Sequence, residues 1–237
     1  MNLERRRWLA RRPPATRIDV NIAAMRLTYR RDGEAAWSGR VVAGAPRNET
    51  PMLGDSFSQL VVNPPWYVPR SIATRELLPK GAAYLRSRRM SYQNGRLVQR
   101  PGPDSALGLV KFDMRNPYAI YLHDTPAKAL FDASDRLRSH GCVRVEDAVA
   151  FARRLAEERG RADDFERALA SGETQVVDLG EAIPVRLLYF TAVVGADGAV
   201  SFRHDAYGWD ERLAGRLGLE PGRLRARVPA PPDLLGP

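Results

Sequence analysis

The 237-residue chain has one cysteine, three histidines and only three lysines, and each scarcity narrows its function. A lone cysteine, Cys142, forms no internal disulfide, so cysteine pairing says nothing about compartment. No apolar run approaches the roughly 18 residues that a membrane-spanning helix requires. Met1 to Arg12 is basic but has no apolar stretch of about 7 to 15 residues, so it does not read as a secretory signal. The protein is then either cytosolic or exported by a segment outside this sequence. Lys80, Lys111 and Lys128 are the only lysines, so the formal charge of +9 is almost all arginine. Such a surface attracts polyanions: nucleic acid, anionic lipid or cell-wall polymer. No RNP, helix-turn-helix or zinc-finger pattern accompanies it, so nucleic acid is not expected as a partner and a solvated, composition-driven surface is the plainer reading, while clusters such as Arg5, Arg6, Arg7, Arg11 and Arg12 stay open between the two.

With 44% hydrophobic and 27% charged residues, the chain can build a sizeable core. Alternating segments predict strands at Arg17–Asn21, Met25–Arg30, Trp37–Ala43, Gln59–Asn63, Leu109–Asp113 and Ala119–His123. Val145, Val149, Ala152 and Leu155 recur at helical spacing and predict a helix from about Glu146 to Glu158, with a second at Asp163–Ala170. Val185–Val194 and Ala199–Phe202, joined by Ala196-Asp197-Gly198, read as a hairpin. Residues 72–103, with a short helical piece around Thr74 to Leu78, read as an insertion over one sheet edge, and Pro229–Pro237 as a disordered end. The expected fold is mainly β with a few helices. Its body is residues 17–210, between a basic segment at 1–16 and an extension at 211–237.

Two of the three histidines and the cysteine fall in Tyr121-Leu122-His123-Asp124-Thr125-Pro126 and Ser139-His140-Gly141-Cys142-Val143-Arg144. A thiol acyl-transfer site needs a base within hydrogen-bond reach, a group orienting that base, and N–H donors for the oxyanion. His123 is the candidate base, on the strand face shared with Tyr121. The Asp124 backbone carbonyl is the candidate orienting group, and the N–H groups of Gly141 and Cys142 are the candidate oxyanion donors. Placing Cys142 just before a helix predicts a lowered thiol pKa; a drop from about 8.5 to about 6 raises the thiolate fraction at pH 7 from roughly 3% to roughly 90%. Cys142, His123 and His140 are also zinc-ligand types, although the sequence offers no evident fourth ligand. A catalytically idle wall-binding protein with a basic surface is the remaining alternative.

His123, fifteen intervening residues, then Ser139-His140-Gly141-Cys142, a hydrophobic residue and Arg144 resembles the signature of the L,D-transpeptidase (YkuD-like) catalytic domain. Leu60-Val61-Val62-Asn63-Pro64 with Trp66, Val68-Pro69-Arg70-Ser71-Ile72, Val110-Lys111-Phe112 and Asp205-Ala206-Tyr207-Gly208 extend the likeness toward the larger Gram-negative members, often called YcbB-like. The resemblance implies a β-sandwich-like domain needing no cofactor or metal, with Cys142 as nucleophile acting on peptidoglycan stem peptides in the periplasm or cell envelope. It further implies acylation by carbapenem-type inhibitors and a substrate cap at residues 72–103. Ser139, His140, Arg144, Trp66 and Tyr207 then stand as candidate substrate-binding residues. For Arg144 the alternatives are a substrate carboxylate or a tie between loops; for Ser139 and His140, support of the turn.

Overall fold

The computed structural model describes residues 1–195 and 197–219. A short helix α1 (Asn2–Arg7) precedes β1 (Arg17–Asn21), β2 (Arg26–Arg31), β3 (Glu34–Gly44) and β4 (Leu53–Val62). An inserted segment then carries β5 (Trp66–Tyr67), α2 (Arg70–Ile72), a helical run through Lys80, α3 (Gly81–Ser87), β6 (Met90–Gln93) and β7 (Arg96–Gln99). The body resumes with β8 (Val110–Phe112), β9 (Leu122–His123), β10 (Leu137–Ser139), β11 (Val143–Val145), α4 (Ala148–Glu158), α5 (Ala162–Ser171) and β12 (Gln175–Leu188). A hairpin of β13 (Ala192–Val194) and β14 (Val200–Phe202) leads to α6 (Trp209–Arg216).

The main sheet runs β3-β11-β9-β8-β4-β12-β1-β2 and returns to β3. Closure follows from the alternation of backbone groups on β3. Arg40 O accepts from Glu146 N on the β11 side, whereas Val41 N donates to Met25 O on the β2 side. β10 adds to β3 beyond the end of β2. Strands from the whole ring contribute to one core, in which Phe151 of α4 stacks on Trp37 at 4.4 Å and meets Tyr29 and Phe112 at 5.8 and 5.6 Å. On α4, Ala148, Phe151, Ala152, Leu155 and Ala156 are buried, the three-and-four spacing that presents one apolar stripe to a sheet.

The expected mainly β fold with helices is the observed one, and the differences lie in the extents of elements. β12 runs fourteen residues and begins ten residues before the predicted strand. Its Gln175–Asp178 and Ile183–Leu187 stretches pair with β4 across an irregularity containing Gly180, which breaks the alternation that a sequence reading relies on. Helix α4 starts at Ala148, later than predicted, because Val143–Val145 pairs into the sheet first. The inserted segment has its own three-stranded sheet, β5-β7-β6, and its own small core of Val68, Ala73, Leu77, Met90 and Leu97.

Within the basic cluster, Arg5 is not part of a solvated face. It is 1% exposed, its Nη1 pairs with Asp210 Oδ1 at 2.5 Å, and its guanidinium lies 5.3 Å from the Tyr189 ring centre. Segment 1–16 is therefore partly integrated with the body, and α6 crosses the boundary drawn at residue 210. Ala196 of the predicted turn and the Pro229–Pro237 tail lie outside the described residues.

Replacing Phe151 with alanine removes the ring shared by Trp37, Tyr29 and Phe112. The expected loss is about 3–5 kcal/mol, read as a lower midpoint in urea unfolding with an unchanged slope.

Candidate active site

Strand β9 is two residues long and sits between β8, antiparallel, and β11, parallel. Its register sets two rows across the sheet. Phe112, Leu122 and Val143 form one row and are buried in the core. Lys111, His123 and Arg144 form the other, on the opposite face. Cys142 precedes Val143 by one residue, so alternation puts it on the face of Arg144, beside Tyr121, whose carbonyl accepts from Val143 N at 3.0 Å. Strand pairing thus brings Cys142, His123, Arg144, Tyr121 and Lys111 together.

His123 is buried, and its Nδ1 lies 2.5 Å from the backbone carbonyl of Asp124. That contact assigns the proton to Nδ1 and the lone pair to Nε2. Burial, reinforced by the cations of Arg144 and Lys111, brings the imidazole pKa down to about 3 against the pull of the Asp124 and Leu107 carbonyls. His123 is neutral at physiological pH. The Asp124 carboxylate faces away from this exchange: it accepts from Leu109 N at 2.9 Å and pairs with Lys128.

Cys142 is half-buried, with its Sγ 3.6 Å from the carbonyl of Ala119. Burial pushes its thiol pKa up, while hydrogen bonds from Tyr121 and the cations of Lys111 and Arg144 pull it down. The predicted activation by a helix terminus is corrected: Cys142 leads into β11, α4 begins only at Ala148, and the net shift is upward. Burial together with the neighbouring Cys142 raises the Tyr121 phenol well above the usual tyrosine range, so it remains a donor. Lys111 Nζ lies 4.8 Å from the Tyr121 ring centre and 2.7 Å from Asp113 Oδ1.

The turn holding Cys142 is fixed from within and behind. Ser139 Oγ donates to the Cys142 carbonyl at 2.5 Å and accepts from Gly141 N at 3.1 Å. Thr50 Oγ1 donates to the Gly141 carbonyl at 2.7 Å and accepts from Gly44 N at 2.8 Å. The Tyr207 hydroxyl donates to the Gly44 carbonyl at 2.5 Å and accepts from Thr50 N at 3.2 Å, its ring stacked on Tyr189. Gly141 has φ +117°, a conformation that L side chains rarely adopt, so the backbone there demands glycine.

Several expectations change. Gly141 N–H is engaged by Ser139 Oγ, so the described geometry does not offer it to an oxyanion. The N–H of Cys142 makes no hydrogen bond among the described residues and is the remaining donor of the expected pair. Ser139 and Tyr207 are buried in the scaffold of the turn rather than placed to line a substrate surface. Trp66 packs on the core of the inserted segment. His140 Nε2 lies 2.7 Å from Glu76 Oε1, so its ring is paired with the insertion instead of completing a zinc-ligand set with Cys142 and His123. Arg144 is largely buried, makes no ion pair among the described residues, and has its Nε without a partner. Thr50, Glu76 and the hydrogen-bonding role of Tyr121 had no local motif to mark them, and Lys111 stood in the Val110-Lys111-Phe112 likeness without a role assigned to it. The Tyr121/His123 alternation was the one available signal, and Lys111 joins only through strand pairing.

The matching family description, "YkuD: L,D-transpeptidase catalytic domain", covers residues 15–177. A Haemophilus influenzae protein named "Putative L,D-transpeptidase" is 34% identical over 220 residues, 83% of this chain and 45% of its own length. The chain belongs to the L,D-transpeptidase catalytic-domain family and spans less than half of that relative. Among solved structures, the catalytic domain of an E. faecium L,D-transpeptidase acylated by ertapenem is 13% identical with a TM-score of 0.40, covering 75% of this chain and 99% of that one. An L,D-transpeptidase from Mycobacterium smegmatis is 15% identical with a TM-score of 0.40, covering 73% of this chain and 58% of that one.

A neutral, buried His123 with a lowered pKa makes stability depend on acid. Between the ordinary imidazole pKa near 6.5 and about 3, the unfolded chain binds a proton that the folded one does not, so stability falls as pH falls through that window. His123→Asn flattens that part of the profile, measured as urea midpoint against pH. Tyr121→Phe removes a donor to Cys142 and raises the thiol pKa further, so the pH profile of iodoacetamide alkylation shifts to higher pH.

Proposed function

We propose that this protein is a cysteine-dependent L,D-transpeptidase that joins peptidoglycan stem peptides by 3→3 cross-links. The reading rests on one observation: a thiol, a neutral imidazole and a largely buried arginine without an ion pair among the described residues share one face through the β9–β11 register. In the proposed reaction Cys142 attacks the carbonyl of the third residue, diaminopimelate, of a tetrapeptide donor. His123 Nε2 takes the thiol proton as the carbon–sulfur bond forms, and the same proton then passes to the departing D-alanine amine. The product is a thioester, which the amine of another stem resolves to a cross-link: His123 accepts a proton of that amine as the carbon–nitrogen bond forms and returns it to the Cys142 sulfur as the carbon–sulfur bond breaks, restoring the neutral pair.

Starting from a neutral pair fits general-base attack, since a thiol with a raised pKa holds little thiolate at neutral pH. The Cys142 N–H is assigned to the developing oxyanion, and Arg144 to a substrate carboxylate, the partner that a buried guanidinium lacks. Residues 72–103 are assigned as the cap over the donor, tied down through Glu76 and His140; this insertion also supports the larger, YcbB-like subgroup. Cross-linkable stems place the working protein in the periplasm or cell envelope. A carbapenem-type acyl donor is expected to acylate the same sulfur.

Incubation with a diaminopimelate tetrapeptide muropeptide, followed by mass spectrometry, is expected to give cross-linked dimer and a transient adduct on Cys142. Tripeptide alone assigns hydrolysis by the same acyl-enzyme, and transfer to a wall-protein amine makes the chain an attachment enzyme. No product and no adduct with either the peptide or a carbapenem, in folded protein, leaves the non-catalytic wall-binding reading and defeats the proposal. His123→Ala is expected to slow acylation about 10² to 10⁴-fold with the fold retained. His140→Ala, which severs the contact with Glu76, acts mainly on substrate affinity. Rate loss confined to His140→Ala, with an unchanged melt, would reverse the assignment of the base.

A further inference from the structure

The β13–β14 hairpin stands off the main sheet and is apolar on one face. Register pairs Ala192 with Phe202 and Val194 with Val200, so these four side chains lie together, opposite Val193 and Ser201. Phe202 is 78% exposed, Val194 60% and Val200 56%. Helix α1 adjoins the base of the hairpin: Asn2 Nδ2 donates to Thr191 Oγ1 at 2.9 Å, Thr191 N donates to Asn2 Oδ1 at 2.9 Å, and Arg203 N donates to Thr191 O at 2.7 Å. From this junction α1 and the residue after it add Leu3, 81% exposed, and Trp8, 60% exposed. Arginines adjoin these groups in the chain or by contact. Arg6 stacks over Phe190, beside Thr191, while Arg203 follows Phe202 and Arg11 and Arg12 follow Trp8. None of those four forms an ion pair among the described residues; the exposed carboxylate near them is Asp197 at the hairpin tip, and Glu4 is paired with Arg7.

We infer that this hairpin and α1 form a docking surface for an anionic lipid bilayer, with Phe202, Val194, Val200, Leu3 and Trp8 entering the interface and the arginines meeting the headgroups. Charge complementarity selects the occupant. Exposed apolar side chains adjoined by arginines that form no ion pair among the described residues match the layered chemistry of a membrane surface, apolar beneath anionic. A second copy of the same patch would bring the arginine rims against one another, a like-charge contact that disfavours it. A wall polymer offers the charge but no apolar layer for Phe202. The surface concerns attachment rather than chemistry, so it stands whether or not the Cys142 reaction is the one proposed.

The test is sedimentation of the full chain with phosphatidylglycerol vesicles and with phosphatidylcholine vesicles, at low and high salt. About tenfold or more preference for phosphatidylglycerol is expected, weakening as salt screens the arginines. Phe202→Asp is expected to reduce the bound fraction about tenfold with an unchanged thermal melt, because the side chain is exposed. Arg11→Glu together with Arg12→Glu is expected to remove the lipid preference with Phe202 intact. Equal sedimentation with the two lipids, or binding indifferent to both variants, overturns the inference. A concentration-dependent dimer that Phe202→Asp dissolves assigns the face to a second copy and overturns it as well.

Discussion

Everything at the candidate site depends on the pairing of a two-residue strand. β9 consists of Leu122 and His123, and its parallel partner β11 sets Leu122 against Val143 and His123 against Arg144. Because side chains alternate, this register fixes at once which residues are core and which are chemistry. A slip by one residue would carry His123 into the layer now filled by Phe112, Leu122 and Val143, and would expose Leu122. The site is therefore as well specified as the core beneath it. Burying Leu122 and Val143 is the driving force that also holds His123 beside the cysteine turn.

The turn is restrained differently, by polar groups without access to water. Ser139 closes it from inside, while Thr50 and Tyr207 support it from the connection between β3 and β4 and from the segment before α6. Each hydroxyl donates one hydrogen bond and accepts another, so removal of any one would strand a buried backbone group. Tyr207 and Ser139 influence Cys142 through this chain of contacts rather than by touching a substrate. Further out, Asp205 accepts from the Tyr189 hydroxyl at 2.8 Å and from Trp209 N at 3.0 Å. The segment Asp205–Gly208, far from the cysteine in sequence, thus becomes part of the framework of its turn.

How much of this could be read from sequence divides along the range of the interaction. Strands β1 and β2, helices α4 and α5 and the face shared by Tyr121 and His123 were legible because period alone defines them. The Asp124 carbonyl beside the His123 ring was legible because the two are adjacent in the chain. The first half of β12 was not, since its hydrogen bonds lie across an irregularity and its side chains do not simply alternate in burial. Thr50 and Glu76 were invisible, and Lys111 was marked only as part of the Val110-Lys111-Phe112 likeness with no place at the site, for a related reason: each reaches the site from across the sheet, from a loop or from the insertion, and no local pattern records that approach. The helix-terminus argument for Cys142 failed because three residues, Val143–Val145, pair with β3 and β9 before the chain turns into α4.

The electrostatics of the face follow from that failure. With no helix terminus at its sulfur, the cysteine is left to competing influences, burial favouring the thiol and the surrounding donors and cations favouring the thiolate. The same cations act oppositely on the thiol and the imidazole, since Arg144 and Lys111 stabilise a thiolate and destabilise an imidazolium. A permanent thiolate–imidazolium pair is accordingly disfavoured on the histidine side, and the neutral pair is the ground state. When an anion engages Arg144, its positive potential at His123 is offset and the imidazole becomes a better proton acceptor. In an acyl transfer, a substrate carboxylate on Arg144 would supply that offset only when a donor is bound. The free site would keep its sulfur protonated and less prone to oxidation or stray alkylation, and substrate binding would itself raise the basicity that the attack requires.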